Sequence, residues 1–135
     1  MQCVSKKRDT PQLARNLYTS PLFVNASAYA EKISDEWYII SAKYGLVCPT
    51  DMLEPYDVTL KNMTAKQRRA WAERVFSDLK QFFRPTDTVV MLAGVIYRKN
   101  LVKKIEELGC NVEIPMEGLR IGEQVSWLQE QLEDC

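Results

Sequence analysis

The chain has 135 residues, with 18 Lys plus Arg against 18 Asp plus Glu, no histidine and 46% hydrophobic residues. That length and apolar fraction describe one globular domain over residues 1–135 and exclude a disordered chain. The missing imidazole excludes Ser-His-Asp and Cys-His nucleophile systems and His-ligated zinc, while zero formal charge removes any overall field that would draw in a polyanion, leaving only local patches.

Taken in chain order, Met1 to Val4 reads as a very short first strand, followed by the basic turn Ser5-Lys6-Lys7-Arg8. Ser20-Pro21 is a helix start, with Ser as N-cap and Pro at the first helical position, and this helix runs to Ile33. Trp37-Tyr38-Ile39-Ile40-Ser41-Ala42 is a nearly continuous apolar run, as expected for a strand buried on both faces. Lys43 to Asn62 is a long irregular stretch and so a candidate functional loop. From Thr64 to Phe83, Trp71, Val75, Leu79 and Phe82 recur at helical spacing. Thr88 to Gly94 reads as another buried strand. Tyr97 to Leu108 is an amphipathic helix stopped by Gly109, Asn111 to Pro115 a weaker strand, and Ile121 to Leu132 a final helix. Alternation of strands and helices predicts an α/β three-layer sandwich with a mainly parallel four-stranded sheet.

In an open parallel sheet, ligands bind beyond the carboxyl ends of the strands. The residues that follow these strands are Ser5, Lys6 and Lys7, then Ser41, Lys43, Tyr44 and Gly45, then Gly94 with Arg98. Hydroxyls, ammonium groups and free amides are the groups that hold phosphate or carboxylate oxygens. Each has a plainer reading too: a solvated basic run at Ser5 to Arg8, and a simple strand-to-loop turn at Ser41 to Gly45. In the loop, Glu54 and Asp57 offer carboxylates for activating water or stabilising an oxocarbenium ion, and Tyr56 a ring for stacking on a base, unless Pro55-Tyr56-Asp57 only forms a turn. Tyr18 and Ser20 divide in the same way between ligand contact and core or cap. Trp37, Trp71 and Trp127 lie in apolar patterns and read as core, and the cations of the helix over Thr64 to Phe83 read as a solvated face.

Charge is uneven along the chain. Residues 1–20 carry Lys6, Lys7, Arg8 and Arg15 against Asp9, whereas residues 106–135 carry eight acidic side chains against Arg120. The neutral total therefore does not exclude a phosphate at the sheet edge. The four cysteines, Cys3, Cys48, Cys110 and Cys135, form no C-x-x-C pair and read as free thiols. The N-terminus lacks the apolar core of a signal peptide, and no window of about 18 apolar residues offers a membrane span. A cytoplasmic protein with no membrane, metal or cofactor requirement is expected.

The Ser-Lys-Lys turn, Leu17-Tyr18-Thr19-Ser20-Pro21-Leu22-Phe23, Ser41-Ala42-Lys43-Tyr44-Gly45-Leu46, Glu54-Pro55-Tyr56-Asp57, Ala93-Gly94 with Tyr97-Arg98, and Gly118-Leu119-Arg120-Ile121-Gly122 together resemble an uncharacterised bacterial and phage domain family. Its pattern has Ser-Cys-Ser-Lys near the start and a Ser-Ala-Lys-His-Gly-Leu turn. That family is similar to the YaaA-type peroxide-stress proteins and to a domain of archaeosine-forming tRNA enzymes. The resemblance implies a fold like that of uracil-DNA glycosylases and a nucleobase or nucleic-acid setting. Tyr44 stands where the family usually has His, and Cys3-Val4 replaces Ser-Cys.

Two functions follow as expectations. One is action at an N-glycosidic bond, with Ser5, Lys6, Ser41 and Lys43 holding oxygens, Tyr44 or Tyr56 stacking, and Glu54, Asp57 and Lys43 assisting the chemistry. The other is a non-catalytic module that binds nucleotide or nucleic-acid phosphate. Use of the acidic C-terminal end to bind a protein partner is a third.

Overall fold

The computed structural model describes residues 10–133. The expected strand at Met1 to Val4, the turn of Ser5, Lys6, Lys7 and Arg8, and the thiols of Cys3 and Cys135 lie outside the described residues.

A short ladder opens the described chain: β1 (Gln12–Leu13) pairs antiparallel with β4 (Met52–Leu53) and leads directly into α1 (Ala14–Leu17). Next comes α2 (Pro21–Ile33), whose Ser20 cap accepts the Phe23 N–H at 3.2 Å, so the Ser-Pro start acts as read. The apolar run forms β2 (Ile39–Ser41), with all three residues buried. The chain then reverses at once into β3 (Gly45–Val47), and Ser41 pairs with Gly45 in an antiparallel hairpin.

Gly45 makes this reversal possible, because its φ of 74° lies in the left-handed region that L side chains avoid. The stretch read as an irregular loop is therefore built: it holds β3, β4 and a 3₁₀ turn over Leu60–Asn62. The hairpin also changes the expected sheet. Among the described residues the ladders form three two-stranded pieces, two antiparallel and one parallel, where one mainly parallel four-stranded sheet was expected. The physical reason is that β2 feeds a tight turn instead of a helical crossover.

The parallel pair belongs to the second half. There α3 (Ala65–Leu79) starts with a reciprocal capping box between Thr64 and Gln67. β5 (Thr88–Val90) pairs parallel with β6 (Asn111–Glu113), and α4 (Val95–Arg98) and α5 (Val102–Glu107) cross between them. β5 is shorter and less buried than its apolar run suggested, with Thr88 exposed and both valines half-buried. The single helix expected over Tyr97 to Leu108 is split by a turn at Lys99 to Leu101. Gly109, with φ of 96°, ends it where expected. The last element is α6 (Ile121–Glu133).

The main core joins β2, β3, α1, α3 and α5 through Leu17, Tyr18, Ile39, Val47, Trp71, Val75, Leu101 and Ile105. Full burial of each such aliphatic side chain stabilises the fold by roughly 1.5–3 kcal/mol. A second cluster packs α2 on α6 through Ala26, Met116 and Leu128, with Tyr29 and Trp127 edge to face at 5.2 Å. Trp71 is core as read, whereas Trp37 and Trp127 are half-buried against the two clusters.

Candidate functional site

Ser41 ends β2 and is the one polar side chain that is fully buried among the described residues. Burying a hydroxyl costs free energy unless it is hydrogen-bonded, and here the O–H and one lone pair of the oxygen are both engaged. Its Oγ accepts the Tyr44 N–H at 3.1 Å and donates to the Tyr56 hydroxyl at 2.8 Å. Its carbonyl accepts the Trp71 indole N–H at 2.9 Å. Three separate pieces of chain thus converge on one residue.

Tyr56 is the hub of the group. Its hydroxyl is 2.6 Å from that of buried Tyr18, and its ring meets Tyr18 and Tyr44 edge to face at centroid distances of 6.3 and 5.4 Å. Tyr18 in turn packs on Phe23 at 4.7 Å, which ties the network to the first turn of α2. The result is a continuous hydroxyl chain, Tyr18 to Tyr56 to Ser41, closed by a backbone amide of the hairpin turn.

Outside this chain the turn is cationic. The Lys43 ammonium lies 5.1 Å from the centre of the Tyr44 ring, within the range where the ring's π face attracts a cation. From α3, the Arg74 guanidinium lies along the turn: its Nη2 donates to the Lys43 carbonyl at 3.5 Å, and its Nε lies 3.3 Å from where a Cβ on Gly45 would sit. Glycine at 45 therefore serves twice, in the reversal itself and in the close approach of Arg74.

The remaining expected site residues fall into distinct positions. Glu54 takes part through its backbone carbonyl, which accepts a long hydrogen bond of 3.4 Å from the Tyr44 hydroxyl, and its carboxylate is exposed. Asp57 is also exposed, and among the described residues its carboxylate does not join the hydroxyl chain. Ser20 serves as a helix cap. Gly94 is the N-cap of α4, and Arg98 closes on its own helix start by donating to the Ala93 carbonyl at 3.0 Å.

Trp71 connects α4 to the end of β2. Its ring stands perpendicular to that of Tyr97 in α4 at 5.6 Å, while its N–H holds the Ser41 carbonyl. The Tyr97 hydroxyl in turn accepts the Leu60 N–H at 3.5 Å. Trp71 and Arg74 were read as core and as solvated helix surface, yet both reach the hairpin turn. Their i, i+3 spacing on α3, which places them on neighbouring positions of one face, is the signal that connects them.

Elsewhere, a groove of about 910 Å³ runs beside β2 and β5, lined by Trp37, Tyr38, Phe82, Val89, Met91 and Glu113. It does not include Ser41, Lys43, Tyr44 or Tyr56. Burial pushes the Tyr38 phenol up to about 12, with help from its hydrogen bond to Glu36 and the Glu36 charge. Burial likewise raises the thiols of Cys48 and Cys110, aided by Asp51 and Asp87 respectively, which makes both poor nucleophiles. No group of three or more His, Cys, Asp or Glu side chains is placed to hold a metal ion among the described residues. No helix among them is long and apolar enough to cross a membrane.

Fold and site together define a mixed helix and strand protein with a cationic hairpin turn seated on a part-buried hydroxyl network. The chain belongs to the family of unknown function DUF6884, whose pattern matches residues 1–130. It is similar to the uncharacterized protein YfjM of Bacillus subtilis (strain 168), with 38% identity over 104 residues, 72% of this chain. The chain spans 65% of the length of that relative. No solved structure matches it.

Proposed function

We propose that the protein is a nucleobase- or nucleic-acid-directed module of the cytoplasm that holds the phosphate of a nucleotide at the Ser41 to Gly45 turn. The observation that carries this reading is the complete anchoring of Ser41, by Tyr44, Tyr56 and Trp71, beneath an exposed Lys43. A turn whose backbone is held on three sides presents its cation and the Tyr44 ring at a reduced ordering cost on binding. Lys43 supplies charge to a phosphate, and Tyr44 a face or edge to a base. The free thiols of Cys48 and Cys110 accord with a reducing compartment.

The uracil-DNA-glycosylase-like three-layer sandwich belongs to this proposal, supported by the motif resemblance and by the parallel β5–β6 unit with its helical crossover. Binding is favoured over hydrolysis of an N-glycosidic bond because the Glu54 and Asp57 carboxylates are exposed and stand outside the hydroxyl chain. A general base has to reach the proton it removes, directly or through one water.

Thermal-shift measurements with 5′-AMP and a single-stranded oligothymidylate, at low and high salt, test the proposal. Stabilisation at low salt that is reduced by Lys43→Ala is the expected result, and a flat response to both probes overturns it. Release of free base from DNA, RNA or nucleotides would restore the hydrolytic reading instead.

A further inference from the structure

We infer that Arg74 is a second phosphate-binding residue of this site, so that the ligand oxygen is held between a cation of the turn and a cation of α3. The inference rests on the proposed reading and goes beyond it by assigning a residue from a different element.

Three observations carry it. The first is position: Arg74 reaches out of α3 and lies along the turn backbone, with Nη2 3.5 Å from the Lys43 carbonyl and Nε 3.3 Å from the Cβ position of Gly45. A single long hydrogen bond leaves most of the five N–H donors of a guanidinium unused. The second is charge: Arg74 and Lys43 are both exposed, and among the described residues neither is paired with a carboxylate. A bound anion supplies the countercharge that no carboxylate supplies to either group among the described residues. The third is space. Residue 45 is a glycine at the position the guanidinium covers, and any side chain there would meet Arg74.

The chemistry matches one ligand class. A planar guanidinium with its donors in a fork binds two oxygens of a phosphate in parallel, and an ammonium beside it adds a point charge. The phosphate belongs either to a mononucleotide or to a nucleic-acid strand, and both present the same oxygens.

The test is titration calorimetry of the full chain with 5′-AMP, adenosine and a single-stranded oligothymidylate. Wild type is compared with Arg74→Gln, Arg74→Lys and Arg69→Gln, the last on the exposed face of α3. Urea denaturation of each variant reports whether the fold is intact. Arg74→Gln is expected to weaken 5′-AMP or the oligothymidylate by at least about tenfold while leaving adenosine unchanged. Arg74→Lys should recover part of the loss, and Arg69→Gln should bind as wild type. Whichever phosphate probe responds identifies the source.

Equal affinity of wild type and Arg74→Gln for the phosphate probes overturns the inference and leaves the proposed function standing. An equal loss for adenosine and 5′-AMP also overturns it, because Arg74 would then act only by supporting the turn. Failure of wild type to bind any of the three probes overturns both.

Discussion

The Ser41 hydroxyl donates to the Tyr56 hydroxyl at 2.8 Å, and this contact joins the end of β2 to a loop residue 15 positions further on. It explains why a serine sits in an otherwise apolar strand. A hydroxyl buried in a low-dielectric interior either organises its neighbours or destabilises the fold. Here it sets the position of the turn that carries Lys43, Tyr44 and Gly45.

Replacing Ser41 by Ala removes one partner each from the Tyr44 amide and the Tyr56 hydroxyl. Urea denaturation should show a loss of about 1–3 kcal/mol, the usual cost of leaving a buried polar group unpaired. A loss indistinguishable from zero would mean that the network is not maintained in solution.

Trp71→Phe keeps a ring against Tyr97 but removes the indole N–H that meets the Ser41 carbonyl. The expected destabilisation is again about 1–3 kcal/mol. The variant should also weaken any ligand bound at the turn, since the carbonyl it releases belongs to Ser41, the last residue of β2. Measuring stability and binding on the same sample separates the two effects.

At position 45 the cost has two sources. A φ of 74° disfavours any L side chain by roughly 1–2 kcal/mol, and the added methyl group would press on Arg74. Gly45→Ala should therefore lower stability by at least that amount and shift Arg74 from the turn. Chemical-shift changes at the Arg74 Nε in an NMR spectrum would report the second effect.

Alkaline stability should depend on Tyr38. Its folded-state pKa is raised from 10.0 to about 12, so the fold favours the protonated phenol. That contribution is fully present below the unfolded value and is lost as pH rises through the folded one. The urea midpoint should fall between about pH 10 and 12, and Tyr38→Phe should flatten this decline. An unchanged slope in the variant would assign the alkaline transition to other groups.

Local signals in the chain located most helices well. Ser20-Pro21 starts α2 through a contact within one turn, and the helical spacing of Trp71, Val75 and Leu79 marks α3, so neighbouring residues suffice to identify both. Gly109 stops α5 for the same local reason. The hairpin was harder to see. Ser41 to Gly45 reads equally as a strand leading into a loop, because what makes it reverse and pair with β3 is a ladder formed with residues not yet identified as a strand.

The site divides along the same line. Ser41, Tyr44 and Gly45 were recognisable as candidates by their place at the end of a strand, and Tyr18 and Tyr56 by type. The hydroxyls of Tyr18, Tyr56 and Ser41 and the Tyr44 amide meet in one network, with Gly45 paired to Ser41 in the ladder. The roles of Glu54, Asp57 and Arg98 could not be assigned from types alone, since exposure and partner choice are set by packing.

By itself the sequence determined a histidine-free composition, the capped start of α2 and the buried apolar run of β2, because composition and short-range pattern carry that information. Tertiary structure alone decided that Trp71 closes on Ser41, 30 positions away, and that Arg74 closes on Lys43, 31 positions away, and on Gly45. Such contacts join residues that have no local reason to be neighbours. They exist only once α3 packs against β3 and the free energy of burying that face fixes where its polar atoms point.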